Sequence, residues 1–137
     1  SNFLLHYELR DWQEKLTFKL EVVDDSLSKD WESDYDLILM NPPYVSWELM
    51  NKNMQDSTRI TLDNVFEKKP NQASAFLYKC INSLGEDGVL GCVIPATLLT
   101  LDSYTKMRKD INDKISFSFI GKLGNYIFDN ALTDVTI

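Results

Sequence analysis

An Asn-Pro-Pro-Tyr turn, from Asn41 to Tyr44, carries the residue types in this chain that are best suited to chemistry. The Asn41 side-chain oxygen and the Pro42 carbonyl are both hydrogen-bond acceptors, and neither proline has an N–H that would tie the turn into local hydrogen bonds. Two fixed acceptors can hold both hydrogens of an exocyclic or amide NH2 group and direct its nitrogen lone pair toward an electrophile. The Tyr44 ring can lie against a planar substrate, a contact worth about 1–3 kcal/mol per base in nucleic-acid systems. The turn therefore suits methylation of a planar amino nitrogen.

The turn follows a short apolar segment, Tyr35–Met40, whose nearly continuous hydrophobicity is typical of a parallel strand covered on both faces. Two successive prolines must end that strand, because they remove two backbone donors. Upstream, residues 16–23 alternate apolar and polar side chains and run into Asp25 and Ser26, the pattern of a strand that ends in a turn. An imperfect helical pattern precedes this strand at residues 3–15.

Downstream of the turn the chain is first polar and then periodic again. Residues 45–69 are rich in charged side chains and Asn, with weak helical stretches around residues 47–54, and predict a mobile excursion over the strand ends. The remaining periodicities predict a helix at residues 70–84, a strand at 88–95, a helix at 96–111, and strands at 115–120 and 132–137 joined by a loop at 121–130.

Strands that alternate with helices predict an α/β fold with an open sheet and helices on both faces. In such a sheet ligands bind beyond the carboxyl ends of the strands. Asp25, the Asn41 turn and Pro95 each follow a predicted strand. The sequence therefore predicts that the candidate chemical groups lie at the ligand-binding edge of the sheet.

The charge of the chain limits what it binds by itself. Fourteen Lys and Arg against 21 Asp and Glu give a net charge of −7. This is the wrong sign for a self-sufficient duplex-binding protein, because affinity for DNA depends largely on neutralising phosphates. A basic, sequence-reading part would have to lie outside this chain. No apolar run approaches the roughly 20 residues that cross a bilayer, so we expect no membrane span.

The cysteines and the histidine do not form a predicted site. Cys80 and Cys92 lack metal-ligand spacing and fall in helical and strand patterns, so we expect inert, reduced thiols in a cytoplasmic protein. His6 is the only histidine, which leaves almost nothing for a histidine-based triad or a zinc site, and we expect no metal.

The stretch from Asp36 to Tyr44, Asp-Leu-Ile-Leu-Met-Asn-Pro-Pro-Tyr, resembles the catalytic motif of amino-methyltransferases, especially the N6-adenine DNA methyltransferases of restriction–modification systems. Residues 70–80 with 88–95, and residues 123–135, resemble the helix, strand and late loop that follow in that family. The resemblance runs from about Leu16 to Ile137.

The resemblance implies a role for each matching residue. Asn41 and Pro42, with Pro43, would hold the target amino group, while Tyr44 and Phe128 would stack on the two faces of a base flipped out of the duplex. Asp25 would receive the adenine amino group of S-adenosylmethionine, with Ser26 and Asn41 also at the cofactor site. Methyl transfer would be direct and in line. Double-stranded DNA, through the intact parent protein, and a restriction or specificity subunit are the partners expected.

The chain departs from the family pattern upstream of Asp25. Residues 1–21 contain no glycine, so nothing there matches the Gly-rich cofactor loop of the family. We therefore expect residues 1–137 to be a central fragment of a Rossmann-like methyltransferase domain, lacking the first two strands, the cofactor loop and the target-recognition region. Protein glutamine or RNA amino-methyltransferases share the turn, and a degenerate, non-catalytic subunit is a third alternative.

Simpler structural roles compete with these assignments. The Asn41 turn can be an ordinary strand terminator, Asp25 a turn former, and Phe128 a loop anchor. The Trp31, Trp47 and Tyr126 rings are expected to pack rather than to stack on bases. Two groups of basic residues are expected to be solvated: Lys68 with Lys69, and Lys106, Arg108 and Lys109.

Overall fold

A pair of parallel strands forms the centre of the protein, seen here in a computed structural model that describes residues 20–124 and 135–137. Strand β1, Tyr35–Met40, pairs in parallel with β2, Leu84–Cys92. The prediction of β1 is confirmed in both bounds, whereas β2 begins four residues before the predicted start. A Cβ atom at Gly88 would lie 2.5 Å from the Tyr35 carbonyl oxygen, so a glycine is needed where the two strands come this close.

A second, antiparallel sheet has the strand order β3-β5-β4. Its strands are β3 Ile94–Pro95, β4 Lys122–Gly124 and β5 Val135–Thr136. The predicted strand at residues 115–120 is wrong, because those residues form no strand and β4 begins only at Lys122. The side chains of Phe117 and Phe119 are exposed, so the alternating pattern that suggested this strand has no surface on which to pack. Strand β5 falls within the predicted 132–137 segment.

Helix α1, Lys52–Leu62, lies in the segment for which the sequence predicted a mobile excursion with weak helical stretches around residues 47–54. Those stretches are confirmed in part, but the helix extends to Leu62, so the predicted excursion is wrong over residues 55–62. The Asn51 side chain caps the helix by accepting a hydrogen bond from the Met54 N–H at 3.0 Å. Short 3-10 turns, Trp47–Leu49 and Asp63–Val65, flank it. The helix buries small polar side chains such as Ser57 and Thr58 together with Leu62, and an apolar periodicity therefore could not reveal it.

Helix α2, Gln72–Ser83, confirms the helix predicted at residues 70–84. Its N-cap is Asn71, whose side chain accepts a hydrogen bond from the Ala73 N–H at 2.9 Å. The predicted helix at residues 96–111 is instead broken into α3, Thr97–Thr100, a 3-10 turn at Asp102–Tyr104, and α4, Thr105–Asn112. Arg108 donates to the carbonyls of Leu98 and Leu101 at 3.1 and 2.7 Å, which stabilises the break.

The hydrophobic core lies on one face of the β1–β2 pair. Met40, Leu90 and Cys92 pack against it, while Leu37 and Leu39 point to the other face and are 57% and 76% exposed. The α/β class is thus confirmed, but no described helix covers the second face. Each of the four helices among the described residues contributes to the core, which includes Leu62, Ala73, Leu77, Ile81, Leu98, Met107 and Ile111.

Several predictions fall outside the described residues: the helix at residues 3–15, the first part of the strand at 16–23, residues 132–134 of the last strand, His6, Tyr126 and Phe128. Residues 20–23 are described and form no strand, which corrects the end of that prediction; Leu20 and Val22 are almost fully exposed there. Within the described ranges, no helix is long and apolar enough to cross a membrane.

Candidate active site

The Asn41 turn lies at the carboxyl end of β1, as the sequence predicted. The Val93 N–H donates to the Met40 carbonyl at 3.0 Å and holds the strand end in place. Pro42 is buried, whereas Asn41 and Pro43 are exposed. These three residues line an open cavity of about 600 Å³.

The same cavity is lined by Asp25 and Ser26, so the structure brings together the predicted substrate and cofactor residues except Tyr44 and the undescribed Phe128. The Leu27 N–H donates to Asp25 Oδ1 at 2.9 Å, and the Ser28 hydroxyl donates to the Asp25 carbonyl at 2.9 Å. Asp25 therefore does form a turn. Its second carboxylate oxygen accepts no hydrogen bond from any residue that the structure describes, and it remains an acceptor for a ligand.

Lys79 of helix α2 fixes the Asp25 turn to the rest of the protein. Its ammonium donates to the Leu27 carbonyl at 2.7 Å and to the Lys29 carbonyl, and lies 5.0 Å from the centre of the Trp31 ring. The Trp31 indole N–H in turn donates to the Ser26 carbonyl at 2.8 Å. Burial lowers the pKa of Lys79, an effect that the nearby carboxylates of Asp30 and Asp25 oppose.

Sequence reasoning missed Lys79. The available signal was weak: a lysine that interrupts an otherwise buried helix between Tyr78 and Cys80. Its partners are backbone carbonyls about 50 residues earlier in the chain, and a carbonyl has no sequence signature. The expectation that Trp31 packs is confirmed by these contacts, although its ring also lines the cavity.

Tyr44 does not line this cavity. Its hydroxyl donates to the Val93 carbonyl at 2.9 Å and lies 3.4 Å from Asn41 Oδ1, and its ring packs against the core. Burial, and to a lesser extent Cys92, raises the pKa of the Tyr44 hydroxyl, so it remains a proton donor at neutral pH. The tyrosine thus lies beside Asn41 but outside the cavity that holds Asp25.

The remaining walls combine flat apolar surface with one buried amide. Phe76, Met54 and Trp31 supply the apolar surface. Gln72 is only 4% exposed, and its side-chain oxygen has no hydrogen-bond partner in the described part of the chain. Its backbone N–H donates to the Val45 carbonyl at 2.9 Å. Flat walls with a carboxylate and amides at the rim suit a planar heteroaromatic ring that carries an amino group.

Comparison with known proteins shows the family of this chain. The family model for the Eco57I restriction-modification methylase matches residues 3–128. The chain belongs to this family.

Three curated relatives are similar over most of the chain. The type II methyltransferase M.AccI of Acinetobacter calcoaceticus is 30% identical over 85% of this chain and 22% of its own length. The modification methylase CviBIII of Paramecium bursaria Chlorella virus NC1A is 33% identical over 77% of this chain and 26% of its own. RM.Eco57I of Escherichia coli, a type II restriction enzyme and methyltransferase, is 29% identical over 72% of this chain and 10% of its own length. The chain thus spans about a quarter or less of each relative.

Two basic residues that were expected to be solvated have partners in this methylase-family segment, which corrects that expectation for Arg108. Lys69 pairs with Glu48 at 3.1 Å, and Arg108 is used inside the fold. Trp47 packs edge-on against Phe66, with ring centres 5.5 Å apart, which confirms its expected packing role. In the described ranges, no cluster of His, Cys, Asp and Glu has the make-up of a metal site.

Proposed function

We propose that this chain is the methyl-acceptor part of a restriction–modification DNA methyltransferase that acts on the N6 amino group of adenine and uses S-adenosylmethionine. One observation carries the proposal: Asn41, Pro42 and Asp25, which are distant in sequence, line one cavity at the carboxyl end of β1. Membership of a restriction-modification methylase family supports DNA, rather than RNA or protein, as the substrate.

The cavity fits the methyl donor by its chemistry. S-adenosylmethionine carries an adenine whose amino group needs an acceptor, and Asp25 has one carboxylate oxygen without a partner among the described residues. Trp31 and Phe76 provide flat walls for the ring, and Ser26 and Asn41 complete the rim. When bound, this cofactor supplies an electrophilic methyl carbon.

The Asn41 turn binds and orients the amino group that accepts the methyl group. Asn41 Oδ1 and the Pro42 carbonyl accept the two hydrogens of the target amino group and direct its nitrogen lone pair to the methyl carbon. Pro43 keeps the turn free of a competing backbone donor. Tyr44 and Phe128 would hold the flipped base between their rings, with Tyr44, which is only partly buried, using the part of its ring that does not pack on the core. Catalysis then consists of positioning and electrostatics, without a covalent enzyme intermediate.

The proposal includes a larger parent protein. The exposed apolar face at Leu37, Leu39 and Val89 supports a Rossmann-like sheet completed by elements that this chain does not contain. The net charge of −7 supports the view that duplex DNA is bound by other, basic parts of the protein, and that a restriction or specificity subunit assists. We place the whole protein in the cytoplasm.

The test is methyl transfer by the full-length protein that contains this chain. Asn41→Ala should lower the rate by at least about 100-fold, the size of losing one preorganised transition-state contact, while calorimetry finds nearly unchanged cofactor binding. Asn53→Ala, at an exposed position on helix α1, is the matched control and should retain full activity. Digestion of the DNA and mass spectrometry should identify N6-methyladenine. Retained transfer by Asn41→Ala, or methylation of RNA or protein alone, would refute the proposal.

A further inference from the structure

The three groups that end β1 and β2 form a continuous line: the Asn41 carboxamide, the Tyr44 hydroxyl and the Val93 carbonyl. Tyr44 Oη is 2.9 Å from the Val93 oxygen and 3.4 Å from the Asn41 side-chain oxygen. Val93 lies 49 residues after Tyr44, so the contact joins the turn to the second strand. It also places the hydroxyl where it can act on the residue that holds the substrate.

A hydroxyl group has one proton, and the distances decide where it goes. The shorter contact is the one to Val93, so that carbonyl takes the proton. The hydroxyl then faces Asn41 with lone pairs only, and an oxygen at that position would meet another oxygen without a hydrogen between them. The structure has Oδ1 at this position, as a distant second acceptor of the hydroxyl. A carboxamide turned by 180° occupies the same volume and replaces this weak contact by a hydrogen bond from Nδ2, so the site favours Nδ2 toward Tyr44.

We propose that Tyr44 is a positioning residue that sets the polarity of the Asn41 carboxamide through a relay, Asn41 Nδ2–H to Tyr44 Oη–H to the Val93 carbonyl. With Nδ2 held on the tyrosine, Asn41 Oδ1 faces the ligand as an acceptor, which an amino substrate requires. In the opposite orientation Asn41 Nδ2, a hydrogen-bond donor, would face the amino group of the substrate, which is also a donor. This inference rests on the proposed function, and it assigns the hydroxyl a task separate from any stacking by the ring.

Two further observations, one on the Tyr44 hydroxyl and one on Asn41, support the relay. Burial raises the pKa of Tyr44, which keeps the proton on the oxygen at the pH of the reaction. Asn41 itself is exposed, so no surrounding wall selects the orientation of its amide. Hydrogen bonds in a chain also polarise one another. The hydrogen bond from Asn41 Nδ2 to Tyr44 Oη should therefore strengthen when a bound ligand shortens it.

The kinetic test uses the full-length protein. Tyr44→Phe keeps the ring and removes the relay, and it should lower kcat about tenfold, the worth of one net hydrogen bond, with KM for DNA nearly unchanged. Tyr35→Phe is the matched control, because the Tyr35 hydroxyl makes no hydrogen bond among the residues that the structure describes. Unchanged kcat in Tyr44→Phe, or an increase in KM alone, would overturn the inference.

A double-mutant cycle separates orientation from general damage. In Asn41→Asp both ends of the side chain are oxygens, so an acceptor faces the ligand whichever end contacts Tyr44. Adding Tyr44→Phe to Asn41→Asp should then change single-turnover rates less than twofold. A further tenfold loss would mean that the hydroxyl acts through the fold and not through Asn41.

A structural measurement distinguishes failure of this inference from failure of the proposed function. In nitrogen-15 spectra of the chain, one Asn41 side-chain N–H should be shifted downfield and exchange slowly. Tyr44→Phe should abolish both effects, and Tyr35→Phe should preserve them. If the relay is present but no substrate is methylated, only the proposed function fails; an Asn41 amide that is unaffected by Tyr44→Phe overturns the inference even in an active enzyme.

Discussion

The Asp25 carboxylate contributes to the fold and is also available to a ligand. One oxygen closes its own turn by accepting the Leu27 N–H, and the other remains available at the cavity rim. The two readings that the sequence left open, turn former and ligand acceptor, are therefore compatible. The Tyr44 side chain differs, because both of its parts contact the fold: its hydroxyl donates to the Val93 carbonyl and its ring packs on the core.

The Cys80 thiol leads to a prediction on pH. Burial, with a smaller contribution from Cys92, raises its pKa from 9.0 to about 12, so the folded protein keeps it protonated when the unfolded chain has already ionised. Its contribution to stability is therefore complete below about pH 9 and is lost as the pH rises toward 12. Between pH 8 and 10.5 the wild type should lose more free energy of unfolding than Cys80→Ala, measured by urea titration. Equal losses would contradict the buried, protonated thiol.

At the scale of elements, the positions of α1 and α2 account for the site. Helix α2 supplies Lys79 to the Asp25 turn and Gln72 and Phe76 to the cavity. Helix α1 packs against α2 and supplies Met54 to the same wall. The segment after the turn is thus a structured part of the site.

The packing of α1 can be tested with two substitutions on one helix. Leu62 is 2% exposed and Ile60 is 76% exposed. Leu62→Ala should lower the free energy of unfolding by about 2–5 kcal/mol, because it leaves a cavity in the core. Ile60→Ala should change it by less than about 0.5 kcal/mol. Equal effects in denaturant titrations would show that α1 does not pack as described.

For the whole molecule, the exposed apolar face of the β1–β2 pair is the main feature. Leu37, Leu39 and Val89 are each more than half exposed on it, and β1 pairs with only one strand among the described residues. An open edge beside an apolar face favours association. The short coverage of the relatives is consistent with a segment that functions inside a longer protein.

The affinity for S-adenosylmethionine tests this view of the whole molecule. The cavity offers Asp25 and flat walls, but residues 1–21 contain no glycine with which to build a phosphate- or methionine-binding loop of the Gly-rich kind. The 137-residue chain should therefore bind the cofactor weakly or not at all in calorimetry, whereas the full-length protein should bind it. Micromolar binding by the chain alone would contradict the fragment interpretation.

The sequence by itself determined the elements whose causes are local. The apolar run of β1, the prolines that end it and the regular apolar spacing of α2 each act within a few residues, and each was predicted nearly to its bounds. The position of the Asn41 turn at a strand end followed from the same local effects.

Only the tertiary structure decided the features that depend on distant partners. Helix α1 forms from a polar sequence and packs against α2, with Ser57 and Thr58 buried. Residues 117–120 form no strand and pair with none of the strands in the described part of the chain. The contacts from Lys79 to the Asp25 turn and from Tyr44 to Val93 span about 50 residues and end on backbone carbonyls. Every residue carries a carbonyl, so only the folded chain determines which one a lysine or tyrosine reaches.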